Sequence, residues 1–470
     1  MINYKKFNRH IFKIFKFSDS GQMNQSTLII AGILAVVLFS SFLFGFNPEK
    51  LFVLVLAIGA FLLALINTKA SLVILIFSML FSPEFVIDPS VPRPVIIRLD
   101  DIILLIICFT WLIKMAVNKR LGLLRFTPLN APLLLYICVC IISTLLNIRE
   151  NEIFLKTGFF YTLKYFEYFL LYFMVVNNLD SLKQIRVFTF LIFIVCILVA
   201  VYTYPQIFAG HKTSAPFEQQ VGGGEPNTLG GYQLLLLAIA GGIFLHTNSG
   251  FWQFACIATI LITIPSFLYT LSRGSYIGFI FMYLTLTFLV KKKKQILIII
   301  LILAVLTLPF ILPSVVINRI SSTFLPDKQI DILGEHINLE ESAAARIETW
   351  GFVFKDWLKR PFLGYGVGAK FVDVQFARVL LETGIVGLWI FIWLMITIFK
   401  SSLKTLKSID DDWSRGLVIG FIAAFFGLLI HSFSASTFII IRVMEPFWFW
   451  AAIVIMLPEF KQEASNSQIT

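Results

Sequence analysis

The sequence predicts an all-α polytopic membrane protein with about 12–14 transmembrane helices and one long extramembrane loop. Its 470 residues are 58% hydrophobic and only 14% charged, and the mean hydropathy is +0.87. Soluble domains carry about 25% charged residues, so this composition excludes a soluble enzyme, a disordered chain and a nucleic-acid-binding protein. Apolar runs of about 20 residues, the length that crosses a bilayer as a helix, recur along the chain.

Fourteen apolar segments are candidate spans. The first is too long for the apolar part of a cleavable signal peptide, and no small-residue cleavage site follows it. In chain order the candidates are 27–46, 51–66, 71–83, 102–117, 129–147, 159–176, 187–205, 232–246, 252–271, 275–290, 295–313, 379–398, 416–433 and 440–458.

These spans divide the chain into five regions. A basic N-terminus precedes a bundle of spans with one polar loop, then come a long polar loop, a C-terminal group of spans and a tail. The regions are 1–26, 27–313 with its loop at 206–231, 314–378, 379–458 and 459–470. The long loop is predicted to hold an amphipathic helix within 342–360, because five apolar residues there recur on one helical face. They are Ile347, Trp350, Phe354, Trp357 and Leu358.

The positions of Lys and Arg predict the orientation of the chain. If the N-terminus is cytoplasmic, the cytoplasmic segments hold 21 of the 38 basic residues, including the tetralysine 291–294 and the loop 400–415. Cytoplasmic loops carry such an excess in membrane proteins, whereas long loops escape the bias. We therefore expect both termini in the cytoplasm and the loops 206–231 and 314–378 on the outer face.

No disulfide, metal site or other cofactor is expected. Every cysteine falls inside an apolar run rather than in a polar loop, and the outer histidines, His211 and His336, are isolated. The cysteines are Cys108, Cys138, Cys140, Cys196 and Cys256.

Two arginines of the outer segments are suited to bind an anionic group. Arg273 lies between two spans with almost no loop, where a guanidinium is costly unless it faces a cavity or a partner. An interfacial arginine that snorkels to the surface is the structural alternative. Arg346 lies on the polar face of the predicted amphipathic helix, and a helix that only covers the bundle is the alternative there.

Four polar residues lie at the outer start of the span that follows the long loop. Asp373 and Gln375 come first, and Asp373 has no partner close by in the sequence, so a role as a base is open to it. Arg378 and Glu382 are four residues apart and could form an ion pair on one helix face.

Four segments resemble, in their order and placement, the superfamily of O-antigen ligases and O-antigen or exopolysaccharide polymerases in bacterial inner membranes. They are EPNTLGGY at 225–232, LSRGSYIG at 271–278, RIETWGFVFKDWLKRPFLGYGVG at 346–368 and DVQFARVLLETGIVG at 373–387. The resemblance implies a GT-C-like fold and an inverting, metal-independent glycosyltransferase. Such an enzyme takes its glycan from undecaprenyl diphosphate at the periplasmic face.

The resemblance also implies residue roles and partners. Asp373, Arg273 and Arg346 would be catalytic, with both arginines on the carrier diphosphate and Asp373 at the acceptor hydroxyl. The implied substrate-binding residues are Lys212, Asn227, Gln375 and Arg378. Membrane lipids and polysaccharide export or chain-length proteins are the further partners that the resemblance implies, and nucleic acid is not among them.

One departure from the family pattern favours polymerase over ligase. Ligases of the family carry His followed by Asn or Ser shortly before the Gly-x-x-Gly motif, and these positions are Asp373 and Val374 here. We therefore expect a polymerase, with an O-antigen ligase as the alternative. A transporter of lipid-linked glycans is less favoured, because transporters place their site near the membrane midplane and most spans here lack central charges.

Overall fold

The structure is a computed structural model that describes residues 59, 61–65, 67–88, 95–117, 124–150, 153–218, 225–290, 293–322, 328–332, 335–339 and 341–466. The predicted N-terminal segment 1–26 and the predicted span 27–46 lie outside these residues. Most of the predicted span 51–66 also lies outside them.

Fourteen α-helices and two antiparallel β-hairpins follow one another in the described residues. The helices are α1 Thr68–Phe81, α2 Leu99–Val117, α3 Asn130–Arg149, α4 Leu155–Asn178, α5 Leu182–Phe208, α6 Pro226–His246, α7 Gly250–Leu268, α8 Arg273–Leu289, α9 Lys294–Ile311, α10 Ser314–Ser321, α11 Glu341–Trp357, α12 Gln375–Ser408, α13 Asp412–His431 and α14 Ile441–Asn466. The hairpins are β1 Glu84–Asp88 with β2 Val95–Arg98, and β3 Lys328–Ile332 with β4 Glu335–Leu339.

Eight of the described helices are long and apolar enough to cross a membrane: α3, α4, α5, α6, α7, α12, α13 and α14. Three shorter apolar helices are α1, α8 and the first part of α9. Twelve of the predicted spans each overlap one described helix. The predicted fold class, an all-α polytopic membrane protein, is therefore confirmed.

Helices α6, α13 and α14 form the buried centre of the bundle, and glycines let their neighbours approach. A Cβ at Gly242 of α6 would lie 2.3 Å from the carbonyl oxygen of Gly416 in α13. A Cβ at Gly420 would likewise lie 2.7 Å from the carbonyl oxygen of Ala238. Small residues at such contacts strengthen helix association in membranes, because the backbones pack directly.

The structure shortens or subdivides the predicted outer loops. The loop predicted at 206–231 is flanked by α5, which continues to Phe208, and by α6, which begins at Pro226 because proline fits the first helical position. The long loop contains α10, the second hairpin and α11, and α12 already begins at Gln375. The sequence analysis did not predict the second hairpin, because its short polar strands lack the apolar periodicity that identifies membrane spans.

The predicted amphipathic helix is present as α11, but its apolar residues form two faces rather than one. Trp350 and Trp357 pack, together with the fully buried Val353, against the segment that leads into α12. Phe354 and Leu358 are 51% and 66% exposed. An exposed apolar stripe beside a packed one suits a helix in the headgroup layer of a membrane.

Helix α12 is broken at Gly384, where two of the sequence motifs meet. Gly384 has φ 64° and ψ −165°, a region that only glycine adopts readily. The segment 361–368 lies against this break, and the amides of Tyr365 and Gly366 donate to the carbonyls of Leu381 and Glu382 at 2.9 and 2.8 Å. The break thus exposes carbonyl groups that the neighbouring segment satisfies.

Replacement of Gly384 by alanine is expected to destabilise the fold by about 1–3 kcal/mol or more, since the conformation is strained for any residue with a Cβ. The new Cβ would also lie 2.2 Å from the carbonyl oxygen of Phe362. Gly351→Ala in α11 is the matched control, because a Cβ there meets no atom within 4 Å. Thermal unfolding of both purified variants in detergent measures the difference, and equal melting temperatures would contradict the prediction.

Candidate functional site

A cavity of about 850 Å³ lies where several connections between helices meet. Its walls come from the first hairpin, the beginning of α4, the segments that precede α6 and α12, and the connection between α13 and α14. The loop charges predict that all of these lie on the same face of the membrane. The charged residues among its lining are Glu84, Arg98, Lys164, Glu218, Glu225, Asp373, Arg378 and Arg442.

Two carboxylates, Asp373 and Glu225, face the cavity close to one another. Asp373 is exposed in the segment before α12, and Glu225 immediately precedes α6. Burial first, and then the neighbouring Asp373 carboxylate, raise the pKa of Glu225, while a hydrogen bond from Asn227 and the charge of Arg378 oppose the rise. Glu225 therefore keeps its proton to a higher pH than an ordinary glutamate.

Arg378 lines the same cavity and forms the ion pair that its spacing predicts. Its Nε donates to Oε1 of Glu382 at 2.9 Å, so the predicted pairing is confirmed. The same carboxylate oxygen accepts the amide of Gly368 at 3.1 Å. The ion pair therefore ties the outer turn of α12 to the glycine-rich segment beside it.

The segments 225–232 and 271–278 are in direct contact. The hydroxyl of Ser272, which caps α8, donates to Oδ1 of Asn227 at 2.6 Å. A Cβ at Gly230 would lie 2.2 Å from Oγ of Ser275, so only glycine lets α6 and α8 approach this closely. Because Asn227 lines the cavity, this contact places the start of α8 at the cavity edge.

Arg273 and Arg319 lie at the turn 271–275, and Arg346 lies within electrostatic range of His431 beside this turn; we call these three residues the arginine centre. Arg273 is the first residue of α8 and is half-buried. Arg319 of α10 donates from Nε to the carbonyl of Leu271 at 3.2 Å, where the backbone has a φ of 53°. The sequence predicted two of these arginines as carrier ligands, and Arg319 was not among them.

His431 connects Arg346 with this turn. The imidazole lies within electrostatic range of Arg346, and its Cδ2 would be 3.5 Å from a Cβ at Gly274. Its Nδ1 forms a 2.7 Å hydrogen bond with Thr437, and the ring is completely buried. The ring therefore fills the space between α8 and α13 at the same end of the bundle. Neither Arg273 nor Arg346 is among the residues that line the cavity.

Two predicted substrate-binding residues lie away from the cavity lining. Lys212 is exposed in the loop after α5. Gln375 is fully buried, and its side-chain Oε1 accepts the backbone amide of Phe438 at 2.9 Å. The backbone amide of Gln375 donates to the carbonyl of Ser432 at 3.1 Å. Gln375 thus holds the start of α12 against the connection between α13 and α14, which forms part of the cavity wall.

A second group of charges lines the cavity from the N-terminal half and the start of α14. Arg442 pairs with Glu84 at 3.1 Å, and Arg98 pairs with Asp100 and lies 3.9 Å from Glu445. The sequence did not indicate this group, because its members come from distant segments. The available signal was the presence of Asp100, Arg442 and Glu445 inside apolar helices, where charges are costly and mark functional sites.

One family of known proteins matches part of the second half of the chain. Residues 257–392 match the family model described as O-Antigen ligase (Wzy_C). No curated protein matches the chain. The matched residues include the turn 271–275, α11, the segment 361–368 and the start of α12. Four of the matched residues line the cavity: Ala369, Phe371, Asp373 and Arg378. This match supports the predicted superfamily of O-antigen ligases and polymerases.

Proposed function

We propose that the protein polymerises glycan repeat units that are linked to undecaprenyl diphosphate, at the periplasmic face of the bacterial inner membrane. The observation that carries the proposal is the position of Asp373. This carboxylate stands where ligases of the family have histidine, and it faces the cavity beside Glu225 and Arg378. The family match supports a glycosyltransferase of the ligase or polymerase type in general.

The reaction transfers a growing glycan from its lipid carrier to a hydroxyl of a new lipid-linked repeat unit. The hydroxyl oxygen forms a bond to the anomeric carbon, the bond from that carbon to the diphosphate breaks, and the electron pair leaves with the diphosphate. Attack opposite the leaving group inverts the anomeric centre. Asp373 accepts the hydroxyl proton or orients the hydroxyl, and Glu225 helps to position the acceptor.

The arginine centre stabilises the charge that develops on the leaving diphosphate. Planar guanidinium groups match pairs of phosphate oxygens, so Arg273 and Arg346 can hold the leaving group without a metal. Arg319 adds a third positive charge at the same turn and fixes the carbonyl of Leu271. The lipid tail would then extend along the neighbouring apolar helices.

The proposed orientation places the cavity outside and both termini in the cytoplasm. A reporter fused after Lys294 is expected to read cytoplasmic, and one inserted at Lys328 is expected to read periplasmic. The physical reason is the excess of basic residues in loops predicted to be cytoplasmic, such as the tetralysine 291–294. A cytoplasmic reading at Lys328 would overturn both the orientation and the periplasmic reaction.

Elongation of a purified substrate tests the proposed function against its alternatives. The protein in liposomes should extend lipid-linked repeat units to long chains when no other acceptor is present. A ligase would instead need lipid A-core or another acceptor, and a transporter would move the substrate without lengthening it. In cells, loss of the protein should leave single repeat units as caps, whereas loss of all attached glycan would indicate a ligase.

A further inference from the structure

We propose that Lys164 binds an anionic group of the acceptor substrate, a phosphate or a sugar carboxylate, on a wall of the cavity separate from the arginine centre. This inference rests on the proposed function, because it assigns a binding site for the second of two substrates. Lys164 belongs to α4 and lies outside the residues 257–392 that match the family.

Lys164 lines the cavity and makes no direct ion pair with any described residue. Among the described residues its Nζ forms no hydrogen bond and no ion pair, and it lies over the aromatic ring of Tyr161, 5.4 Å from the ring centroid. The residue is only half-buried, and it lines the cavity. An ammonium group in a membrane helix is costly unless an anion or water in a cavity stabilises it.

The arginines on this wall differ from Lys164, because each of them already forms an ion pair with a carboxylate. Arg442 is held by Glu84, and Arg98 is held by Asp100. Among the cations that the structure describes in the cavity lining, Lys164 is therefore the one whose charge remains available for a ligand. An ammonium group offers a compact charge with three rotatable donors, which suits an oxyanion that arrives in varied orientations.

The structural alternative is that Lys164 offsets nearby buried carboxylates. Asp101 and Glu167 both act electrostatically on Lys164, and both are buried. Neither of them forms an ion pair with Lys164 in the described part of the chain. An ammonium that served only to neutralise these groups would be expected in direct contact with one of them, because contact gives the largest Coulomb gain.

Steady-state kinetics of Lys164→Gln test the proposal in liposomes with lipid-linked repeat units. The KM for the acceptor is expected to rise about 10-fold or more with little change in kcat, as for a lost charge-assisted hydrogen bond. The salt dependence of this KM should weaken, and Lys164→Arg should restore most of the affinity. The control is Lys156→Gln, because Lys156 is exposed on the same helix. An unchanged KM in Lys164→Gln would overturn the proposal.

Two probes separate the chemical sources of the anion. Thermal stabilisation of the detergent-purified protein is measured with inorganic diphosphate and with galacturonate. If diphosphate stabilises the wild type but not Lys164→Gln, the site binds the diphosphate of the acceptor's lipid carrier. If galacturonate gives this result, the site binds an acidic sugar. Equal stabilisation of wild type and Lys164→Gln by both probes overturns the proposal, whether or not the wild type elongates glycan.

A double variant distinguishes anion binding by Lys164 from neutralisation of the buried Glu167 carboxylate by Lys164. Lys164→Gln with Glu167→Gln removes the ammonium and one buried carboxylate together, so it remains informative if the single variant does not fold. A KM that stays high in the double variant supports anion binding. A KM that returns to the wild-type value shows that Lys164 only offsets Glu167. The inference fails and the proposed function stands if Arg273→Ala is inactive while Lys164→Gln and the double variant both keep the wild-type KM for the acceptor.

Discussion

Asp373→Asn is expected to lower the rate of glycan transfer about 10²–10⁴-fold, the range for a lost general base. The substitution keeps the shape of the side chain and removes the charge that would attract the acceptor proton. Asp373 is exposed to the cavity rather than buried in the fold, so protein yield and melting temperature should change little. In vitro chain extension with lipid-linked repeat units measures the loss.

Two further substitutions at this position separate proton removal from orientation. Asp373→His should keep part of the activity, because histidine also accepts a proton and occurs here in ligases of the family. Asp373→Ala should keep almost none. Asp410→Asn is the matched control, since Asp410 is an exposed aspartate of the loop between α12 and α13, on the opposite predicted side. Wild-type chain lengths from Asp373→Ala would exclude this residue from the site.

The pH dependence of the transfer rate should also report the ionisation of Glu225, the carboxyl group beside Asp373. Burial and the Asp373 carboxylate raise the pKa of Glu225, so protonation of Glu225 persists to higher pH than in a free side chain. Removal of the Asp373 charge takes away one of the two causes and should lower that pKa. Any limb of the profile that belongs to Glu225 is therefore expected to shift to lower pH in Asp373→Asn.

The membrane fold could be predicted because lipid imposes a simple rule on sequence. Each span needs about 20 apolar residues, so α3, α5 and α13 are visible as uninterrupted runs. The break at Gly384 was not predictable, since the amides that follow it donate to the carbonyls of Pro361 and Phe362, and no local pattern encodes these contacts. The two hairpins were missed because each of their strands has only four or five residues.

The candidate site was only partly predictable. Asp373, Asn227 and Arg378 were indicated by motifs, and the structure brings all three to one cavity. Lys164 was not indicated, because it lies in none of the four motifs. Glu225 begins the motif 225–232 but was not singled out in it. Gln375 was indicated by its position beside Asp373, yet successive helical residues point in different directions, and its side chain turns into the protein.

Arg273→Ala is expected to reduce transfer about 10²–10³-fold, the cost of removing one group that stabilises developing oxyanion charge. Arg273 lies at the start of α8, beside the hydrogen bond between Ser272 and the cavity-lining Asn227. Arg273→Lys should also be poor, because lysine keeps the charge and loses the planar fork that grips two phosphate oxygens.

The matched control for Arg273 is Arg149→Ala, an exposed arginine on the same predicted face of the membrane at the end of α3. Both variants are compared by membrane yield, melting temperature and in vitro chain extension. An arginine that only snorkels to the interface contributes to anchoring, so its loss would change membrane yield or stability before it changed turnover. Full activity in a well-expressed Arg273→Ala protein would assign Arg273 to that anchoring role and leave the diphosphate to Arg346 and Arg319.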